Sequence, residues 1–175
     1  MKEKSGYSAT TFLIRAALLF LAWIFIYELW LHPKGRLDAW VIKISMDEAV
    51  FWLRLFRDDI FRQQEVIGIW GTHGLKIGPP CNALSLITLF SGFIIAAPGR
   101  PITKMIYITS GTILIFHLNV LRLVGLMVIQ KNARDWLSFN HDYTFTLIMY
   151  VLIFLGWMGW MMKFGNKVTA KSGES

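Results

Sequence analysis

Four stretches of the chain run for about seventeen to twenty-eight residues with almost no charge, separated by segments in which charged and apolar residues mix. Runs of that length and polarity match helices that cross a bilayer. The first covers about residues 12–31, with Arg15 near one end and Glu28 near the other. The second covers about 81–97 and has no charge, the third covers 103–130 and, past Lys104 at its start, is interrupted only by Arg122, and the fourth covers 143–162. The pattern predicts an all-α fold, a polytopic integral membrane bundle of about four transmembrane helices forming a single domain over residues 1–175. A cleaved leader is the rival reading of the first run, but "WLHPKG" after it lacks a small-residue cleavage pattern.

Residues 32–80 follow a different pattern. From Leu37 to Ile60 apolar and charged residues alternate at helical spacing. Trp40, Ile44, Phe51 and Leu55 fall on one stripe, away from Lys43, Asp47, Glu48 and Arg54. Such a segment is too charged to span and is expected to lie in the interface as one or two helices. Residues 66–80, with Gly68, Gly71, Gly74, Gly78 and then Pro79-Pro80, read as loop or hairpin. The polar residues 165–175 read as a disordered tail. Trp157 and Trp160 beside Lys163 read as an interfacial belt, and Gly156 and Gly159 as points of close helix approach.

Composition agrees: 55% of the residues are hydrophobic, with eight Trp and thirteen Phe. The net charge of +7 would suggest nucleic acid in a soluble protein. Here the basic residues flank apolar runs, so membrane lipids are the expected partner and nucleic acid is not. A single cysteine excludes an internal disulfide framework, and the histidines lack ligand spacing, so neither metal nor other cofactor is expected. Four spans put both termini on one side, and basic residues near the span ends tilt that side towards the cytoplasm.

That topology brings polar residues together. Cys81 opens the second span on the side of the long loop. Arg122 follows Met105 by seventeen residues, about 26 Å of helix, which places it in the far half of a hydrocarbon core of about 30 Å. His141 opens the fourth span from the same side. Each residue also has an ordinary explanation: a packed thiol, a snorkelling arginine, an exposed cap histidine. A basic residue within a span costs roughly 2.5–3.5 kcal/mol at the bilayer centre, which favours a functional reading of Arg122. His32, His73 and His117 carry no such signal.

A free thiol titrates near about pH 8.5 and needs help to act as a nucleophile. Pro79-Pro80 is expected to set Cys81 in the first turn of a helix, where the dipole favours the thiolate. His141 is placed to accept the thiol proton and Arg122 to hold an oxyanion. Asn119, three residues before Arg122, is expected to orient the guanidinium through its carbonyl. This inventory suits thiol-based acyl transfer at a membrane face. A non-enzymatic scaffold with Arg122 on lipid phosphate, and a lipid or polysaccharide acyltransferase, remain open alternatives.

"PPCNALSLITLF", "NVLRLVGLMV" and "FNHDYTFTLIMYVLIFLGWM" together resemble the exosortase/archaeosortase family of membrane transpeptidases. The shared pattern is a cysteine opening one span, Asn-x-x-Arg near the end of the next and a histidine opening the one after, here Cys81, Asn119 with Arg122, and His141. The resemblance covers about residues 65–162. It implies a cysteine transpeptidase or protease of the inner membrane with its active site towards the outer, periplasmic face. Its partners would be exported proteins with a C-terminal sorting signal: a short motif, a transmembrane helix and a basic cluster. A thioester on Cys81 would be passed to an acceptor. Many relatives have about eight spans, so this chain resembles a compact form of the Bacteroidetes type.

Overall fold

The computed structural model describes residues 9–81 and 83–165. The tail from residue 166 onwards, expected to be disordered, lies outside the described residues. Helix α1 (Ala9–Trp23) continues as a π-wound stretch, Ile24–Leu31, and a 3₁₀ turn, His32–Lys34. Together they form one apolar run, Ala9–Lys34, long enough to cross a membrane. Leu13, Ile14, Leu18 and Phe20 on it are exposed, as lipid-facing residues must be in the isolated chain. Gly35 then reverses the chain at φ +62°, a conformation that a Cβ would strain.

Helix α2 (Arg36–Arg54) follows. The helix expected over 37–60 is thus one helix ending at Arg54, and the chain then turns into strand. Strands β1 (Ile60–Gln63), β2 (Val66–Ile69) and β3 (Leu75–Lys76) form an antiparallel sheet in the order β1-β2-β3. Ile60 faces Ile69 and Val66 faces Lys76 in its register. A short 3₁₀ turn, Pro79–Cys81, leads to α3 (Leu84–Ala96). Helix α4 (Pro101–Asn132) is the longest element, with Pro101 at its first position, where a missing N–H costs nothing. After a turn at Arg134–Trp136 come the single-turn α5 (Leu137–Phe139), a π-wound turn at Asn140–Thr144 and α6 (Phe145–Trp160).

Three helical runs are long and apolar enough to span, Ala9–Lys34, Pro101–Asn132 and Phe145–Phe164, and α3 is a shorter apolar helix. The molecule is a polytopic all-α membrane protein with one small sheet.

Two clusters share α4. In one, Ile42, Met46, Ala49 and Leu53 of α2 and Ile67 and Ile69 of β2 pack on Val120, Leu123 and Met127. Full burial of an isoleucine from water contributes about 1.5–3 kcal/mol. In the other, Phe90 and Ile94 of α3 meet Ile115 of α4 and Met149 and Ile153 of α6. Lipid tails are as apolar as these side chains, so close packing has to hold this second cluster. The Phe90 ring fills the space beside Gly111 and Gly156; a Cβ on Gly111 would approach it to 2.2 Å. Gly156 therefore serves the close approach expected of it.

The tryptophans differ from expectation. Trp160 is fully buried and donates to the Pro98 carbonyl at 3.1 Å. Trp157 stacks on Phe93 at 4.5 Å between centroids. They lock α6 to α3 and the α3–α4 turn rather than forming a belt towards lipid, because the indole N–H finds carbonyls there.

Candidate active site

Three elements converge where the sheet meets the bundle. Cys81 ends the Pro79–Cys81 turn, and its N–H donates to the Gly78 carbonyl at 2.9 Å. It does not lie in the first turn of α3. Ala83 caps that helix in a left-handed conformation, φ 64°, and the helix begins at Leu84. The rigid proline pair and this reversal leave the thiol just outside the helix, where the dipole falls away quickly.

His141 arrives on the π-wound turn ahead of α6. Its Nε2 lies 3.8 Å from Cys81 Sγ, within hydrogen-bond range for sulfur, although sixty residues separate the two. Both are half-buried. The wider winding of Asn140–Thr144 turns the imidazole towards the thiol, and Thr146 Oγ1 donates to the His141 carbonyl at 3.1 Å.

Helix α4 supplies the third side. Asn119 is fully buried and donates from Nδ2 to the Cys81 carbonyl at 2.8 Å. Its role differs from the expected one: Asn119 Oδ1 and Arg122 Nε are both buried with no hydrogen-bond partner. The amide therefore holds the cysteine backbone and does not orient the guanidinium. Arg122 lies one turn further along α4, about 4.5 Å along the axis, and is 9% exposed. No carboxylate pairs with it among the described residues. Its charge is buried on the helix whose Asn119 holds the cysteine-bearing turn, with its Nε–H to spare.

Further along α4, Gln130 Nε2 donates to the Gly74 carbonyl at 3.0 Å and Lys131 Nζ to the Trp70 carbonyl. With Asn119, these bonds fasten the loop and sheet to the helix as far as Cys81.

The model of the family described as transmembrane exosortase matches residues 5–162. The chain belongs to the transmembrane exosortase family. Neither the curated proteins nor the solved structures give a match. Membership makes this exosortase a multi-pass membrane protein with a transpeptidase-like role.

One polar group escaped the sequence reading. Asp38, 2% exposed on α2, accepts from Tyr27 Oη at 2.6 Å and pairs with His32 Nδ1 at 3.0 Å. It ties the end of the first span to α2, which packs against the cysteine-bearing turn. The available signal was an acidic residue on the apolar face of α2, beside Val41 and Ile42.

Proposed function

We propose that this exosortase-family protein is a membrane cysteine transpeptidase or peptidase acting on exported proteins with a C-terminal sorting signal. The 3.8 Å approach of Cys81 Sγ to His141 Nε2 carries the reading. His141 takes the thiol proton, and the sulfur attacks the scissile peptide carbonyl. The carbonyl π electrons move onto oxygen, and the Arg122 guanidinium donates to that oxyanion. As the tetrahedral adduct collapses, the C–N bond breaks, and His141 returns the proton to the departing amine. A thioester remains on Cys81. Water or an acceptor amine then attacks it, His141 takes the attacker's proton, and the thiol is regenerated. Asn119 keeps the Cys81 backbone in place through both halves.

The active site faces the outer, periplasmic side of the inner membrane in this reading, under the sheet and α2. Mass spectrometry of membrane proteins in cells carrying Cys81→Ala tests it. Unprocessed proteins with an uncleaved apolar C-terminal segment should accumulate. Normal processing by that variant overturns the nucleophile assignment. A hydroxylamine-labile adduct on Cys81 that carries an acyl chain, not a peptide, would reassign the chain to acyl transfer onto lipid or polysaccharide.

A further inference from the structure

A row of aromatic rings stands on the segment that carries His141. Trp136, Phe139 and Tyr143 are each more than half exposed. Trp136 meets Phe139 edge-on at 6.0 Å between centroids, and Phe139 meets Tyr143 at 5.5 Å. Spacings of three and four put the rings on one side of the helical run that leads from α5 into the π-wound turn. His141 lies two residues from Phe139 and two from Tyr143, a little over half a helical turn from each. It points the other way, to Cys81, where its Nε2 lies 3.8 Å from Sγ. One short run thus turns its rings outward and its imidazole inward.

Two observations say what covers the rings. The run joins the end of α4 at Asn132 to the start of α6 at Phe145, and both helices belong to stretches long and apolar enough to cross a membrane. The ends of two such spans hold the segment between them at the edge of the hydrocarbon. The same end of the bundle also carries exposed indoles beside cations. Phe12 meets Phe93, and Trp23 shares a groove with Ser85, so the first span runs antiparallel to α3 and ends where α3 begins. There Trp30 is exposed, with Lys34 Nζ 4.3 Å from its ring centre. Trp70 is exposed too, and its carbonyl takes the bond from Lys131 at the end of α4. Arg134 opens the turn ahead of α5. Rings that are apolar in body and polar at the tip, with cations alongside, suit the layer of ester and phosphate groups where lipid meets water. Trp157 and Trp160, at the opposite end, are packed into the bundle instead.

We propose that Trp136, Phe139 and Tyr143 insert into the lipid headgroup layer at the Cys81 end of the bundle, and that this anchor holds His141 towards Cys81. Lipid around the rings opposes rotation of the run, which would carry the imidazole away from the thiol. The anchor rests on the spans alone; its effect on processing rests on the peptidase reading above.

The first test reads depth alone. In the full-length Cys81→Ser chain, a single cysteine replaces Trp136, Phe139 or Tyr143 and carries a nitroxide. The protein is placed in vesicles of phosphatidylethanolamine and phosphatidylglycerol. Collisions of the nitroxide with oxygen, against those with a water-soluble nickel chelate, give its depth on a scale set by spin-labelled lipids. All three positions should read within the headgroup layer. A depth in bulk water overturns the anchor. Spin–spin broadening between copies also overturns it, by assigning the rings to a second copy of this chain. The second test reads the site in the native membrane. Trp136→Ser, Phe139→Ser and Tyr143→Ser together should slow processing by about tenfold or more, since a shift of about 1 Å can cost on the order of 10²-fold. Trp136→Tyr, Phe139→Trp and Tyr143→Trp together keep the ring chemistry and should process near the parent rate, which a need for these particular packed shapes would not allow. Normal processing by the triple serine chain, where Cys81→Ala processes nothing, overturns the hold on His141. Normal processing in Cys81→Ala as well would instead overturn the peptidase reading, and the depth measurement would still decide the anchor.

Discussion

Asn119 Nδ2 donates to the carbonyl of Cys81 at 2.8 Å, so a side chain inside the long helix α4 fixes the backbone of a residue in the loop ahead of α3. Asn119 is buried, and removing its amide leaves that carbonyl without this donor. A lost bond of this kind costs about 1–3 kcal/mol when the partner stays dry. Asn119→Ala should insert and fold, yet lower turnover because the thiol drifts from His141. The readout that separates positioning from mere stability is the alkylation rate of Cys81, which should change in Asn119→Ala. An unchanged rate alongside impaired processing would place the effect elsewhere.

Removing the imidazole should have a different signature. His141→Ala keeps the turn ahead of α6 but takes away the imidazole that lies 3.8 Å from Cys81 Sγ and moves the proton in the proposed reaction. Loss of a general acid–base typically lowers turnover by about 10²–10⁴-fold. Processing should fall within that range with protein abundance unchanged. Activity within a factor of two of the parent would remove His141 from the mechanism.

Arg122 is tested by a change that keeps its charge. Arg122→Lys preserves the cation and loses the planar set of donors that includes the buried Nε–H. Loss of an oxyanion donor typically costs about 10²–10³-fold in turnover. Pulse-chase of the proteins that accumulate in Cys81→Ala should show this slowing. Near-normal processing with lysine would argue that only charge is needed.

Three of the four expected spans were legible because length and apolar content decide whether a helix can lie in lipid, and that information is local; the fourth, read over 81–97, is the shorter apolar helix Leu84–Ala96, cut back by the turn at Pro79–Cys81 and the reversal at Ala83. The convergence of Cys81 and His141 was legible for a related reason: span order and helical rise set depth without knowledge of packing. What local pattern could not show was which face of α2 meets the protein. Trp40, Phe51 and Leu55, the stripe expected to matter, are exposed, while Val41, Ile42, Met46, Ala49 and Leu53 on the opposite side are buried. The buried side packs on α4, and the exposed side mixes these apolar residues with Lys43, Asp47 and Arg54, as an interfacial face does. The β1–β2 hairpin was half legible. Glycines marked a loop or hairpin from residue 66, but β1, placed at the end of a helical pattern, takes its form from pairing with β2. Cys81 missed the helix because Ala83 adopts positive φ, a rare state for alanine that no propensity anticipates.

Orientation has a direct check, since Cys81 is the single cysteine of the chain. A membrane-impermeant maleimide added to spheroplasts should label it from the outer face, where the proposed site opens. Cys81→Ser should abolish the signal. Labelling only in inverted vesicles would turn the topology over and carry His141 with it, because the two lie 3.8 Å apart.

The last prediction concerns what holds the bundle together inside the lipid. Phe90 of α3 sits where Gly111 of α4 and Gly156 of α6 leave room, and a Cβ on Gly111 would stand 2.2 Å from its ring. The ring is 3% exposed and has packed neighbours on both sides, so it has little room to yield. Gly111→Leu should destabilise the bundle by about 1–3 kcal/mol, the usual cost of overpacking. Phe90→Ala in the same chain should recover part of that loss by clearing the space, at the expense of its own contacts. Thermal unfolding in detergent, followed by tryptophan fluorescence, measures both. Because Trp157 donates to the Phe90 carbonyl at 3.4 Å and stacks on Phe93, displacement of α3 should also shift its emission. If Gly111→Leu melts with the parent, α3 and α4 are not held by this contact.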